Sequence, residues 1–250
     1  MIYKFKGHEI EIYDTIQKLP ILRFQKLNKY QIKASEVGNT FLDYDKRMEK
    51  ALSFLRKNMV EDAIKELDNQ RLTVYNAFNE ISPTAYSFAV LVKRIDKVEY
   101  IEFAPDDLDA ILKHLEGIGF EYFTCVELLR EVKKKLDTEL SVYYEVFFPK
   151  YGESIEVNLR VQRASLMCDE IINNSNEEKH IYDVEREILE RDKPNTWNVW
   201  KNGNMERSME VDFTKFAVNV SELSKQSIED MTVFKFYATL EYLKEKHAQN

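Results

Sequence analysis

The stretch Val126–Phe147, VELLREVKKKLDTELSVYYEVF, decides how the chain is read. Val126, Leu129, Val132, Leu136, Leu140, Tyr143 and Phe147 recur at intervals of three and four, the period of one face of an α-helix. No glycine or proline interrupts the run, and Pro149 and Gly152 close it. The same economy holds throughout. Six glycines and five prolines in 250 residues fall well under half of the roughly 12% that ordinary usage predicts. Tight hairpins, phosphate-cradling loops and nucleophile elbows draw on backbone conformations that glycine reaches most easily, so this composition has little material for them. The expectation is a mostly α fold, a multi-helix bundle with a small N-terminal β-hairpin.

Outward from that helix, the other elements fall into place. Ile2-Tyr3-Lys4-Phe5 and Glu9-Ile10-Glu11-Ile12-Tyr13 alternate with period two around Lys6-Gly7-His8, which predicts the hairpin. Two strands alone are marginal in water, so they must pack on the helices or lend an edge to another subunit's sheet. A first helix runs from Pro20 to about Gly38 with Ile21, Phe24, Leu27 and Ile32 on one side. A second, after Asn39-Thr40, carries Leu42, Tyr44, Met48, Ala51, Leu52 and Leu55 as its apolar face. A third, after a break at Asn58, has the stripe Ile64, Leu67, Val74, Tyr75, Phe78 and Ile81, and so short a connection makes the two antiparallel neighbours.

Ser82-Pro83 stops the third helix, Ala85 through Val92 is apolar enough for a mostly buried helix, and Val98–Phe103 is loosely extended. Pro105-Asp106-Asp107 starts a helix that stops at Gly117 and Gly119. Beyond the long helix, one from about Ser154 to Ile172 turns Ile155, Leu159, Ala164 or Leu166, and Ile171 inward. Others follow on Ile181–Leu189, Phe213–Val220 and Val233–Leu243. Residues 1–38 hold the hairpin and first helix, 39–172 the main bundle, and 173–250 the C-terminal helices with a tryptophan-bearing loop, all as one continuous folded unit.

A composition of 44% hydrophobic and 32% charged residues, with 14 Tyr and 15 Phe, is that of a folded chain. The net charge of −8 argues against unspecific nucleic-acid binding. Lys26, Lys29 and Lys33 make a local basic face, for which a solvated helix surface is preferred over phosphate contact. Apolar runs are far shorter than the roughly 20 residues that cross a bilayer. Met1 leads straight into the hairpin rather than a leader, so a reducing cytoplasm is expected and Cys125 and Cys168 read as buried thiols.

The residue patterns of catalysis are largely missing. His8, His114, His180 and His247 are scattered singly, without metal-ligand spacing. Gly152-Glu153-Ser154 lacks the second glycine of a nucleophile elbow, and the carboxylates lie mostly beside lysine or arginine at helix-surface spacings. The chain is therefore expected to be non-enzymatic, with no catalytic residue, cofactor or metal. An enzyme would need a site assembled in space from distant residues. Trp197 and Trp200 lie three apart in the most irregular segment, Pro194–Asn204, where rigid aromatics suit a partner surface or fold back over the core. With Ile2, Tyr3 and Phe5 of the hairpin, they are the candidate partner contacts.

Two stretches carry a family resemblance. Phe24-Gln25-Lys26-Leu27-Asn28-Lys29-Tyr30, Asp45-Lys46-Arg47, Ala63-Ile64-Lys65-Glu66-Leu67, Ile81-Ser82-Pro83 and Ser87-Phe88-Ala89 together resemble a helical protein among the structural genes of tailed bacteriophages, particularly those of gut Bacteroidetes. Ser227-Ile228-Glu229-Asp230 with Phe234–Ala238 and Leu240-Glu241-Tyr242-Leu243 is similar to the last helix of phage tail-region assembly proteins. The chain departs from the first pattern at Ile95-Asp96-Lys97, where that family has a glycine turn. The resemblance implies a virion protein assembled in the bacterial host cytoplasm, a self-associating ring subunit of the head-tail connector or tail. Its partners would be copies of itself and other phage structural proteins, with neither nucleic acid nor membrane recognised directly. The alternative it implies is a tail-assembly chaperone or soluble adaptor that does not remain in the virion.

Overall fold

Lys6 and Gly7 both take positive φ, 48° and 89°, the type I′ turn whose twist matches that of the strands it joins. It closes β1 (Ile2–Phe5) onto β2 (His8–Ile12) in the predicted hairpin. The hairpin does not stand alone. A computed structural model, which describes residues 1–147, 153–173, 175–197 and 204–248, pairs β2 antiparallel with β3 (Val92–Ile95), and β3 with β4 (Val98–Glu99). The result is a four-stranded sheet in the order β1-β2-β3-β4. The glycine-free turn at Asp96-Lys97 works because Asp96 itself takes φ 51°, a conformation its short carboxylate tolerates. That carboxylate is held by Glu9 N–H at 2.9 Å and His8 Nδ1 at 2.7 Å, and the hydrogen bond from His8 holds the Asp96 carboxyl below its ordinary range.

Helices cover the sheet. The core gathers α1 (Ile21–Glu36), α4 (Pro83–Leu91), α5 (Pro105–Gly117), α6 (Tyr122–Phe147) and α10 (Val233–Ala248) around Ile10, Ile12 and Ile95. Most of helix α4 is buried, as its largely apolar sequence requires, with Thr84 and Tyr86 half-buried; Ser82 Oγ accepts from Ala85 N–H at its start, with Pro83 in the first turn. The long stripe of α6 lies as its period predicts, with Leu129, Val132, Leu136 and Leu140 buried. Arg23 from α1 is buried without a carboxylate. It donates to the carbonyls of Val90 and Val92 at 2.7 and 3.1 Å and to those of Tyr100 and Ile101, with the Tyr13 and Phe103 rings on either side. The chain's two ends also meet: Ile21 N–H donates to Met231 O, and Val233 N–H to Leu19 O, both at 2.9 Å.

Three sequence expectations need correction. Cys125 is buried but Cys168 is exposed on α7 (Glu153–Asn173), because α7 turns little of itself inward. Of the α7 residues expected inward, Leu159 is buried while Ile155 and Ile171 are exposed. The basic face of α1 is neither solvated nor open to phosphate. Lys29 and Lys33 reach Glu206 of α9 (Met205–Ser224) at 2.9 and 3.2 Å, and Lys26 reaches Glu210 at 3.3 Å. Burial of Glu206 works to raise its pKa, and the lysine charges outweigh it, leaving the carboxyl below its ordinary value.

Candidate interaction surface

Helix α2 (Phe41–Arg56) starts at a reciprocal cap: Thr40 Oγ1 accepts from Asp43 N–H at 3.1 Å and Asp43 Oδ2 accepts from Thr40 N–H at 3.0 Å. The cap demands glycine just before it, since a Cβ on Gly38 would come within 2.3 Å of the Asp43 carboxyl, and Gly38 has φ 69°. A turn through Asn58, at φ 58°, reverses the chain into α3 (Val60–Phe78). Arg47 then meets Glu66 at 3.3 Å and Gln70 Nε2 donates to Tyr44 O at 3.3 Å, so the two helices run antiparallel side by side.

The orientation of α3 is the reverse of what its periodicity suggested, while on α2 Ala51 is buried and Leu42, Leu52 and Leu55 are exposed. Glu66, Asn69, Thr73 and Asn76 point inward and are buried, while Val60, Ile64, Leu67, Val74, Tyr75 and Phe78 are exposed, Phe78 to 88%. Most of the inward polar atoms are hydrogen-bonded, which lets them stay buried; Arg47 Nε and Glu66 Oε1 are not, and Lys50 Nζ lies 3.1 Å from that oxygen. Thr73 Oγ1 donates to Val37 O at 2.7 Å, Asn76 Nδ2 to Gly38 O at 3.0 Å, and Arg47 to Ser35 O at 2.8 Å. The polar face of α3 thus supplies donors to carbonyls at the C-terminal end of α1, where a helix leaves its last carbonyls unpaired. Asn69 bridges further, donating to Asn195 O at 2.8 Å and accepting from Trp197 N–H at 3.2 Å.

With those bonds holding the polar side inward, the apolar side has only solvent to face. On α3, Val60, Ile64, Leu67, Arg71, Val74 and Phe78 follow each other at alternating steps of four and three, the spacing of a coiled-coil seam, with one charged interruption. On α2, exposed Phe41, Leu52 and Leu55 make a parallel ridge with half-buried Met48 between them, and Phe41 is 77% exposed. Viewed along each axis, both ridges lie about 100° round from the side touching the other helix, and in antiparallel helices this puts them on the same side of the hairpin. At about 200 Å² for a large side chain, their exposed fractions add to on the order of 1,000 Å². The largest apolar patch of an ordinary monomer is about 300–600 Å².

The residues expected at partner contacts fare differently. Trp197 is wholly buried between Val37 and Leu72, its indole N–H donating to Glu36 Oε2 at 2.6 Å. It is therefore a core residue rather than a contact, because the short polar groups of α3 and Glu36 anchor its segment to the helices. Trp200 lies outside the described residues. Tyr3 and Phe5 turn inward to the ring of Phe120, with centroids 5.9 and 5.0 Å apart, and are half-buried. Ile2, on the other face of the edge strand β1, is exposed. The direction the α2–α3 stripes face was not read from the sequence. Its signal was on the opposite side: a solvated helix surface normally carries charge, whereas Asn69, Gln70, Thr73 and Asn76 are short or uncharged.

Among the described residues no group of three or more His, Cys, Asp or Glu is placed to hold a metal. Of the histidines, His8 faces Asp96, His114 Nδ1 lies 2.6 Å from the Tyr100 hydroxyl, and His180 pairs with Glu177. No described helix is long and apolar enough to cross a membrane. Comparison with protein-family models, with curated proteins and with solved structures finds no match to this chain.

Proposed function

We propose that this chain is a non-enzymatic structural protein that works by self-association, and that the α2–α3 face is where one copy meets another. The phage head-tail connector or tail that its sequence resembles is the setting we propose for it. The observation that carries the reading is the inverted amphipathicity of α3, whose polar side is bonded inward and whose apolar side is exposed. An exposed apolar area on the order of 1,000 Å² on each copy is comparable to the roughly 800 Å² per partner of a standard interface.

The pattern favours a second copy as the occupant. An α3 seam packed on an antiparallel copy of itself, about a two-fold axis at the level of Asn69, sets Val60 opposite Phe78, Ile64 opposite Val74 and Leu67 opposite Arg71. Each Arg71 keeps Asp68 of its own helix 4.0 Å away, so its charge stays paired beside the other copy's Leu67. A two-fold contact of this kind is self-complementary and closes by itself. A larger ring would add a second contact, for which the edge strand β1 with exposed Ile2 is the available surface.

Sedimentation equilibrium over a range of concentrations tests this. The wild-type chain is expected as a dimer or a multiple of it, and Ile64→Glu/Val74→Glu as a folded monomer with wild-type circular dichroism, since both side chains are exposed within one copy. A wild-type chain that stays monomeric throughout overturns the reading and leaves the face to another protein's helix, as an assembly chaperone would use it. A double variant with wild-type mass overturns it as well.

A further inference from the structure

The sheet ends in two strands, β1 and β4, each with one free edge. The helices pack on one another, α2 on α3 and α7 on α8 (Glu178–Arg191), while α5 meets β3, and Ile2, Lys4, Val98 and Glu99 stay exposed. Bonded and unbonded pairs alternate along an antiparallel ladder. Met1 N donates to Ile12 O at 2.7 Å and Ile12 N–H to Met1 O at 2.8 Å, so Tyr3 and Phe5 bond to β2, and the main-chain groups of Ile2 and Lys4 point away from it. Tyr100 N–H donates to Lys93 O at 2.8 Å, which by the same rule turns the N–H and C=O of Glu99 outward on β4. No described residue bonds these outward groups.

We propose that β1 of one copy adds to β4 of the next, with Lys4 opposite Glu99, so that copies join edge to edge in one continuous antiparallel sheet. Successive strands alternate in direction, so a second copy's β1 laid along β4 with the sheet's faces kept runs antiparallel to it. Lys4 and Glu99 then meet as a bonded pair, each N–H donating to the other's carbonyl, with both side chains on the face that carries Glu9, Glu11 and Arg94. Charges alternate across the joint: Glu9 and Lys4 of one copy, 3.6 Å apart, then Glu99, Arg94 and Glu11 of the next. Glu99 makes no ion pair among the described residues; the field of Lys93 reaches it, but that ammonium is bonded to Glu11 at 2.8 Å. The same register sets exposed Ile2 beside exposed Ile101, and Phe5 beside Val98 on the other face. Lys6 and Lys97 come nearest only at the turns, where Lys6 lies back over the Phe5 ring at 4.9 Å. A lysine on an edge strand ordinarily guards it against strangers, and an opposite charge facing it selects one partner. Because unlike edges meet, the contact repeats from copy to copy and closes into a ring or extends as a filament. A few edge bonds do not offset the freedom two chains lose on joining, so alone the contact is transient in dilute solution. Its permanence rests on the association through α2–α3, which presents the edges of paired copies together.

Oxidation of a concentrated Ile2→Cys/Ile101→Cys chain that also carries Cys168→Ser tests the proposal, since a disulfide traps even a transient contact. Within one copy the two positions lie on opposite edges of the sheet, about 14 Å apart at three strand spacings, beyond the reach of a disulfide. Across the contact their Cα atoms are about 5.5 Å apart, within it. Denaturing, non-reducing mass analysis should show a ladder of dimers, trimers and longer products. A mixture of the two single-cysteine chains should stop at the dimer, and either alone should stay monomeric. Lys4→Pro in the double-cysteine chain should keep native circular dichroism, because the N–H it removes is bonded to nothing within the copy and proline is tolerated on an edge strand, and should abolish the ladder. A double-cysteine chain that stays monomeric overturns the proposal, as does a ladder that survives Lys4→Pro. Dimers from one single-cysteine chain alone overturn the joining of unlike edges. No cysteine lies on the α2–α3 face of these chains, so the covalent products report on the strand edges alone, whatever that face does.

Discussion

Replacing Trp197 separates a core role from a partner contact, and its cost can be worked from its surroundings. The side chain has no exposed surface, fills the space between Val37 and Leu72 with Ile32, Met205 and Met209 around it, and gives its N–H to Glu36. Trp197→Ala removes a buried aromatic and leaves a void, which destabilises by about 3–5 kcal/mol. A domain of this size shifts by about 2–4 °C per kcal/mol, so a fall in melting temperature of roughly 6–20 °C is expected by circular dichroism. Trp197→Phe keeps most of the volume but removes the N–H. Glu36 then retains only Asn195, at 2.7 Å, and the loss of a bond to a charged group is about 1–3 kcal/mol, a smaller fall of roughly 2–12 °C. Neither substitution should change the assembled mass measured at a temperature where the variant is folded. A Trp197→Ala chain that melts within about 2 °C of the wild type and dissociates would refute the burial argument.

Two further outcomes follow from charge and exposure. The Lys29, Glu206 and Glu210 cluster makes the α1–α9 contact pH-sensitive: burial works to raise the pKa of Glu206 and Glu210, and the lysines outweigh it to hold both below the ordinary value. Their contribution is therefore present above the unfolded carboxyl pKa, about 4.3, and is lost as pH falls through the lowered folded value. For Lys29, burial works to lower the pKa and Glu206 outweighs it to raise it, so its part is intact below about 10.4 and is lost as pH rises through the raised folded value. Melting temperatures between pH 3 and 7 should fall more steeply towards acid in the wild type than in Glu206→Gln; equal slopes would contradict the pairing. With a thiol reagent at neutral pH, exposed Cys168 should react quickly and Cys125 only on unfolding, since burial pushes its thiol up to about 12. Two fast thiols in the native protein would contradict that placement.

Much of the fold was legible because local physics and the tertiary environment agree. The α6 stripe, the hairpin turn at Lys6-Gly7 and the Pro105 start each follow from side chains within a few residues of one another. Strand β3 was not legible: Val92-Lys93-Arg94-Ile95 is four residues without alternation, directly continuous with a buried helix, and it becomes a strand because β2 offers it a partner. The α2–α3 surface failed for a different reason. Periodicity locates a stripe on a helix but does not say whether the stripe faces core or solvent, and here the unpaired carbonyls at the end of α1 and the anchoring of Trp197 draw the polar side of α3 inward. Trp197 was ambiguous in sequence because its fixing partners, Glu36 and Asn69, lie more than a hundred residues away.

The most direct measurement of the self-association claim is a cross-link between copies. In an Ile64→Cys/Val74→Cys chain with Cys168→Ser, the new thiols lie ten residues apart on one helix, about 15 Å along its axis, beyond the reach of a disulfide within the chain. Packed against an antiparallel second copy, each new thiol faces the other copy's complementary one. Mild oxidation followed by denaturing, non-reducing mass analysis should give a covalent dimer from the double-cysteine chain and a monomer from either single-cysteine chain. A double-cysteine chain that remains monomeric under oxidation would contradict the account.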